Sequence, residues 1–142
     1  MTRALTEAER WEFLAERRIA VLSVAADDGR PPAGVPIWYD CTSDGNIRIN
    51  TAAGRRKARL IERAGTVTLV VQRGQPPYRY VIVEGTVIDA VEPAPAADRE
   101  AIAARYLGSA GAREFVRRLD GFDSVLFTIR PDRWLTADYS EL

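Results

Sequence analysis

Two closely spaced turn signals punctuate β-rich stretches early in this chain, and together they mark residues 19–50 as short strands. Asp27-Asp28-Gly29 ends a β-rich stretch at residues 19–25, and residues 31–39 read as the strand that returns from it. Ser43-Asp44-Gly45-Asn46 then turns the chain into residues 46–50, where Ile47 and Ile49 face one way and Arg48 the other. The expected arrangement is a meander. Ahead of it, Thr6 and Glu9 form a capping box, and Leu5, Trp11, Leu14 and Ala15 fall on one apolar helical face.

At Gly54 the period lengthens from two residues to nearly four. Lys57, Leu60, Ile61 and Ala64 share one stripe, and Arg55, Arg59 and Arg63 share a more exposed one, so a short helix is expected here. Residues 66–72 and 78–91 read as strands joined by Arg73-Gly74-Gln75-Pro76-Pro77, with Gly85 where a barrel strand bends or bulges. Beyond a proline-punctuated break, residues 96–107 and 112–119 read as helices separated by Gly108 and Gly111. Residues 124–130 and 134–137 close the chain as strands around Pro131-Asp132. The expected fold is mainly β (α+β): six or seven antiparallel strands in a small barrel with short helices outside it.

A chain of 142 residues, 46% hydrophobic, has material for one ordinary core, so residues 1–142 are expected to form a single domain. Acidic and basic side chains balance at 20 each, which removes the global field that draws a protein onto nucleic acid or an anionic membrane. There is no histidine, and Cys41 is alone, so histidine catalysis, an internal disulfide and a Cys/His metal site are excluded. Cys41 itself reads as a small buried hydrophobe. The charged first ten residues lack a signal-peptide core, and no apolar run reaches membrane-spanning length. A cytoplasmic protein with neither nucleic-acid nor membrane partners is expected.

Recognition by charge must therefore be local, and residues 50–59, Asn50-Thr51-Ala52-Ala53-Gly54-Arg55-Arg56-Lys57-Ala58-Arg59, offer the densest positive run. Lys57 is the only lysine in the chain. Cations in the first turn of a helix oppose its dipole by about 0.3–1 kcal/mol each, so helix stability alone favours Asp or Glu there. Free N–H groups at a helix start, guanidinium forks, a lysine and a threonine hydroxyl are what a phosphate site requires. The alternative is a solvated basic face, and that reading is the one given to Arg59 and Arg63.

Neighbouring segments complete a wider pattern. Residues 19–25, Asp28-Gly29-Arg30-Pro31, Val35-Pro36-Ile37-Trp38-Tyr39, Asn50-Thr51 with Gly54 to Arg59, Pro77-Tyr78-Arg79-Tyr80-Val81 and Glu84-Gly85-Thr86-Val87 together resemble the split-barrel flavin and deazaflavin oxidoreductases. These are relatives of the pyridoxamine phosphate oxidases. The resemblance spans roughly residues 5–138 and is nearest to the branch that uses the deazaflavin F420. It implies a homodimer with two cofactor sites at the subunit interface. By the same resemblance Thr51, Arg56 and Lys57 hold the cofactor phosphate, with Arg55 beside them, and Pro36, Ile37 and Trp38 lie against the tricyclic ring. Asn50 matches a position beside the phosphate or ribityl chain. Tyr78 and Arg79 match a strand start near the opposite subunit's site, although Tyr78 and Tyr80 point one way and Arg79 the other; packing is the alternative for the tyrosines and for Trp134.

The activity implied is hydride transfer between F420 and a small unsaturated acceptor such as a quinone, an enone or a biliverdin-like tetrapyrrole. Tyr78, Tyr80, an arginine-bound water or solvent would supply the proton. The same phosphate site serves FMN, so an FMN enzyme of pyridoxamine phosphate oxidase type is one alternative. A barrel dimer that carries a flavin or haem without turnover is another.

Overall fold

The structure, a computed structural model, describes residues 2–141. Three helices, α1 (Glu7–Ala15), α2 (Arg56–Ala64) and α3 (Ala96–Arg118), accompany seven strands. These are β1 (Ala20–Val24), β2 (Ala33–Ile37), β3 (Tyr39–Cys41), β4 (Ile47–Ala52), β5 (Thr66–Arg73), β6 (Arg79–Val91) and β7 (Ser124–Asp138). All pair antiparallel in one sheet of order β2-β1-β5-β6-β7-β4-β3. The mainly β, α+β class expected from the sequence holds.

The order has one physical consequence that shapes everything else. β2 and β3 lie at opposite edges, yet only Trp38 separates them in the chain. Two residues span at most about 7 Å, so the sheet curls until its edges nearly meet. The result is a split barrel whose last seam is not hydrogen-bonded. This corrects the meander: β2 pairs with β1, and the chain then crosses to the far edge, where β3 pairs with β4. The single strand expected over residues 31–39 is accordingly two.

Alternation along the strands fills the interior. Ile47, Ile49, Leu69, Val83, Phe127 and Ile129 point inward and are fully buried. α1 adds Phe13 and Leu14, and α2 adds Leu60 and Ile61, so each helix covers the core with its apolar stripe. α1 has the capping box read from the sequence: Thr6 Oγ1 accepts from Glu9 N–H at 3.2 Å, and Glu9 Oε1 accepts from Thr6 N–H at 2.9 Å. On the outer face, Leu126 meets Ala94 and Ile102 beneath α3, with Trp38 against them.

α3 is pinned by polar contacts at its first half. Arg48 donates twice to Asp40 and once to Asp98, at 2.7–2.9 Å, which ties β3 and β4 to the start of α3. Tyr106 Oη donates to Arg18 C=O at 2.7 Å and accepts from Tyr39 N–H at 3.2 Å. Gly108, at φ 75°, kinks the helix where the sequence placed a break between two helices.

β6 and β7 form the longest pairing, and the turn expected at Pro131-Asp132 is instead a bulge within a single strand. Gly85 faces Pro131 and Glu84 faces Arg133, which leaves Asp132 as the extra residue. Asp132 Oδ2 accepts from Thr86 Oγ1 at 2.5 Å. The close approach requires glycine, because a Cβ on Gly85 would sit 2.5 Å from Ile129 Cγ2 and 2.8 Å from Arg130 C=O.

Gly85→Ala is expected to lower the unfolding free energy by about 1–3 kcal/mol in urea denaturation. Gly74→Ala, where an added Cβ meets nothing within 4 Å, should change it by less than about 0.5 kcal/mol. Equal losses at both positions would refute the close-approach account.

Candidate functional site

The open seam of the barrel is where the basic run sits. β3 pairs with β4 only as far as Ile49, so Asn50, Thr51 and Ala52 have no strand partner on that side. Opposite them runs the outer edge of β2. A cavity of about 340 Å³ occupies this gap, lined by Ala33, Gly34 and Val35 of β2 and by Arg55, Arg56 and Lys57. Thr51 and Ala52 form its boundary with a larger cavity of about 650 Å³. Pro36, Ile37, Trp38 and Asn50 line this second chamber, together with residues of α3 and the start of β7.

α2 opens on the smaller cavity without a cap of its own. Gly54 takes φ 72°, Arg55 is the N-cap with no side-chain hydrogen bond, and no acidic residue lies in the first turn. α1, by contrast, has Glu7 and Glu9 in its first turn and a complete capping box. The positive end of α2 is thus reinforced by cations, the reverse of what helix stability favours.

Arg55 is exposed. Arg56 reaches Asp28 only at 3.8 Å, and its Nη2 is buried without a hydrogen-bond partner. Lys57 is half-buried and has no hydrogen bond or ion pair among the described residues. Burial pushes its ammonium below the ordinary lysine pKa, because the charge has lost solvent and gained no counter-ion. Thr51 is 7% exposed. Asn50 Oδ1, buried and without a donor, adds an unmet acceptor next to it.

The other arginines of α2 are occupied. Arg59 Nη1 donates to Gly54 C=O at 2.8 Å, closing the loop onto the helix, and Arg63 pairs with Asp27. The cations left over are therefore those facing the cavity. A phosphate fits this set: it supplies the counter-charge that Lys57 lacks and the close acceptor that Arg56 lacks, and it accepts from the free N–H groups of the first turn.

In the larger chamber, Trp38 is fixed by stacking on Tyr106, with centroids 4.8 Å apart and planes at 7°, and by Phe115 at 5.4 Å. Ile102 and Ala103 of α3 are buried there, while Ile19, Phe115, Leu119 and Phe122 leave large apolar surfaces exposed around it. Phe122 is 67% exposed.

Of the residues singled out from sequence, Pro36, Ile37, Trp38, Asn50, Thr51, Arg55, Arg56 and Lys57 all line these two adjoining cavities. Tyr78 and Arg79 line neither. Arg79 faces Asp138, at the opposite end of β7 from Ser124, and pairs with it at 2.9 Å. Glu9 lies 3.9 Å from the same guanidinium, and Tyr78 is exposed. Tyr80 lies near Tyr139, and Trp134 packs edge-on against Trp11 at 5.2 Å. Cys41 is partly buried, and its thiol is pushed up to about 11 by desolvation, so it is protonated at neutral pH.

Sequence reasoning missed α3 and the start of β7 as chamber walls. Arg99 gave a signal of the same kind as Arg56, a cation in a helix's first turns. Phe115, Leu119, Phe122 and Ser124 gave none, because only the fold brings them to Trp38.

Residues 6–137 match the family model of pyridoxamine 5'-phosphate oxidase, and the chain belongs to that family. An F420 reductase superposes with a TM-score of 0.70 at 25% identity, over 87% of this chain and 94% of its own. The conserved hypothetical protein Rv2991 from Mycobacterium tuberculosis gives 0.74 at 24% identity, over 95% and 86% respectively. A FAD-binding protein (mll6688) from Mesorhizobium loti gives 0.64 at 20% identity, over 97% and 96%. No curated protein matches the chain.

Two measurements check the cradle. Arg56→Ala with Lys57→Ala should weaken binding of FMN or F420, followed by fluorescence, by about 100-fold, roughly 3 kcal/mol for two charge-assisted contacts. Arg63→Ala should leave it unchanged. Because an anion favours the charged ammonium, the bound Lys57 has a higher pKa than the free one. Affinity should be flat at neutral pH and fall as pH rises through the depressed free value of Lys57, below about 10.4. Lys57→Arg should remove that alkaline fall; an unaltered profile would detach Lys57 from the anion.

Proposed function

We propose that the chain is an F420-dependent oxidoreductase that exchanges a hydride with a small unsaturated acceptor, acting in the cytoplasm as a homodimer. The observation that carries this reading is the convergence of unmatched polar groups. Arg56 Nη2 and the unpaired Lys57 stand at the mouth of α2, and Asn50 Oδ1 lines the adjoining apolar chamber, one residue from the Thr51 boundary, with room there for a ring and an acceptor. The similarity to an F420 reductase over most of both chains supports the choice of cofactor.

When bound, F420 supplies hydride chemistry at a ring carbon. The residues of this chain do the rest. Arg56, Lys57 and the first-turn N–H groups of α2 would hold the phosphate, with Arg55 adding attraction at the surface. Asn50 Oδ1 is the complement of a ribityl hydroxyl, an acceptor awaiting a donor. Backbone groups of Pro36 to Trp38 would orient the ring, and Trp38, held by Tyr106 and Phe115, forms a rigid wall that keeps water out. Tyr106 does not act as an acid: its hydroxyl is committed to Arg18 C=O, and burial raises its pKa.

The exposed apolar side chains Ile19, Phe115, Leu119 and Phe122 favour a second copy at the chamber mouth. In that dimer Tyr78 and Arg79 of the partner subunit would complete the site. The ligands are small molecules rather than nucleic acid or lipid, in keeping with the balanced charge. No described helix is long and apolar enough to cross a membrane.

Titration of the purified protein should show F420 binding at least tenfold tighter than FMN, a difference of about 1.4 kcal/mol. Stopped-flow mixing of reduced F420-loaded protein with quinones, enones and tetrapyrroles should then reoxidise the cofactor with at least one class. Tenfold preference for FMN would overturn the cofactor choice. Inertness toward every acceptor would replace the enzyme by a carrier.

A further inference from the structure

The larger chamber contains a second cation that the phosphate cradle does not use. Of its lining residues two are charged, Arg99 and Asp123, and Asp123 is solvent-exposed. Arg99 lies four residues after the N-cap Pro95 of α3, where its charge opposes the helix dipole. The acidic residue of that first turn, Asp98, is taken by Arg48, which also holds Asp40. Among the described residues no carboxylate pairs with Arg99, and its Nε is buried without a hydrogen-bond partner. Ser124 Oγ, lining the same chamber, is also buried and unpartnered.

These groups face apolar walls. Trp38, Ile102 and Phe115 border the same space. A guanidinium lining such a chamber interacts more strongly with an anion there than it would in water, and Arg99 pairs with no carboxylate among the described residues. Arg56 and Lys57 belong to the other cavity, across Thr51 and Ala52, so a phosphate held there leaves Arg99 unmatched.

We infer that Arg99 is the anchor for a second ligand, a planar apolar acid whose carboxylate pairs with the guanidinium and accepts from Ser124 Oγ while its body lies along the apolar wall of Ile102 and Phe115. Taking that ligand as the hydride acceptor rests on the function proposed above and narrows it to carboxylated acceptors over neutral ones. The anion site itself follows from an unmatched guanidinium and an unmatched hydroxyl that line one apolar chamber.

The test uses a matched pair of fluorescent probes, 1-anilinonaphthalene-8-sulfonate and N-phenyl-1-naphthylamine, which share one skeleton and differ by the sulfonate. Their affinities are measured on wild type, Arg99→Met and Arg99→Lys, with Arg99→Gln as a second neutral variant should Met fail to fold. The neutral variant should bind the sulfonate probe at least tenfold more weakly and the uncharged probe within twofold of wild type. Arg99→Lys should recover part of the loss, and F420 affinity should stay within twofold throughout. An unchanged sulfonate probe, an equal loss for both probes, or a loss of F420 affinity instead would overturn the site. If wild type binds neither F420 nor FMN yet separates the two probes through Arg99, the anion site stands and the cofactor reading falls.

Discussion

Trp38 is the single residue between two strands that the sheet order places as far apart as possible, and that short crossing forces the sheet to curl. A longer connection would have left a flat sheet with two free edges, a form prone to pairing with other chains. The seam that results is incomplete, because β3 is three residues long and leaves the end of β4 unpaired. The cavities occupy that gap. Trp38 therefore serves the fold by position and the candidate site by its ring, which Tyr106 and Phe115 hold in place.

The electrostatics sort the arginines by what they meet. Arg48, Arg63 and Arg79 are each spent on a carboxylate, and Arg59 on a loop carbonyl. The Arg63 pair, with its guanidinium exposed, contributes little to stability, whereas Arg48 and Arg79 hold carboxylates that are largely buried. Arg56, Lys57 and Arg99 line the cavities instead: Arg56 has only the 3.8 Å contact with Asp28, and Lys57 and Arg99 have no carboxylate partner among the described residues.

Much of this was legible beforehand, for identifiable reasons. The Thr6–Glu9 cap, the Leu60–Ile61 stripe, the Gly108 break and the hairpin at Asp28-Gly29 are local signals, and local geometry obeyed them. The crossing at Trp38 was not legible, because it has no turn residue and looks like continuous strand. Pro131-Asp132 resembles a turn in sequence; opposite Gly85 it becomes a bulge, since the partner strand supplies the missing side-chain space. The residues of the smaller cavity are near neighbours in the sequence, whereas Arg99 and Phe122 reach the larger chamber only through tertiary packing. Tyr78 and Arg79 were raised by family resemblance, and within one subunit they stand at the far end of β7.

The lone lysine of the chain also makes it a natural reporter. Lys57 carries its one ε-amine, half-buried in the cradle and held partly toward the uncharged, nucleophilic form by desolvation. Amine-directed acylation near neutral pH has a single side-chain target in this protein, and any anion seated over it acts as a protecting group. Occupancy of the cradle can thus be read from the mass of the peptide that carries Lys57, separate from the α-amine, with no engineered label.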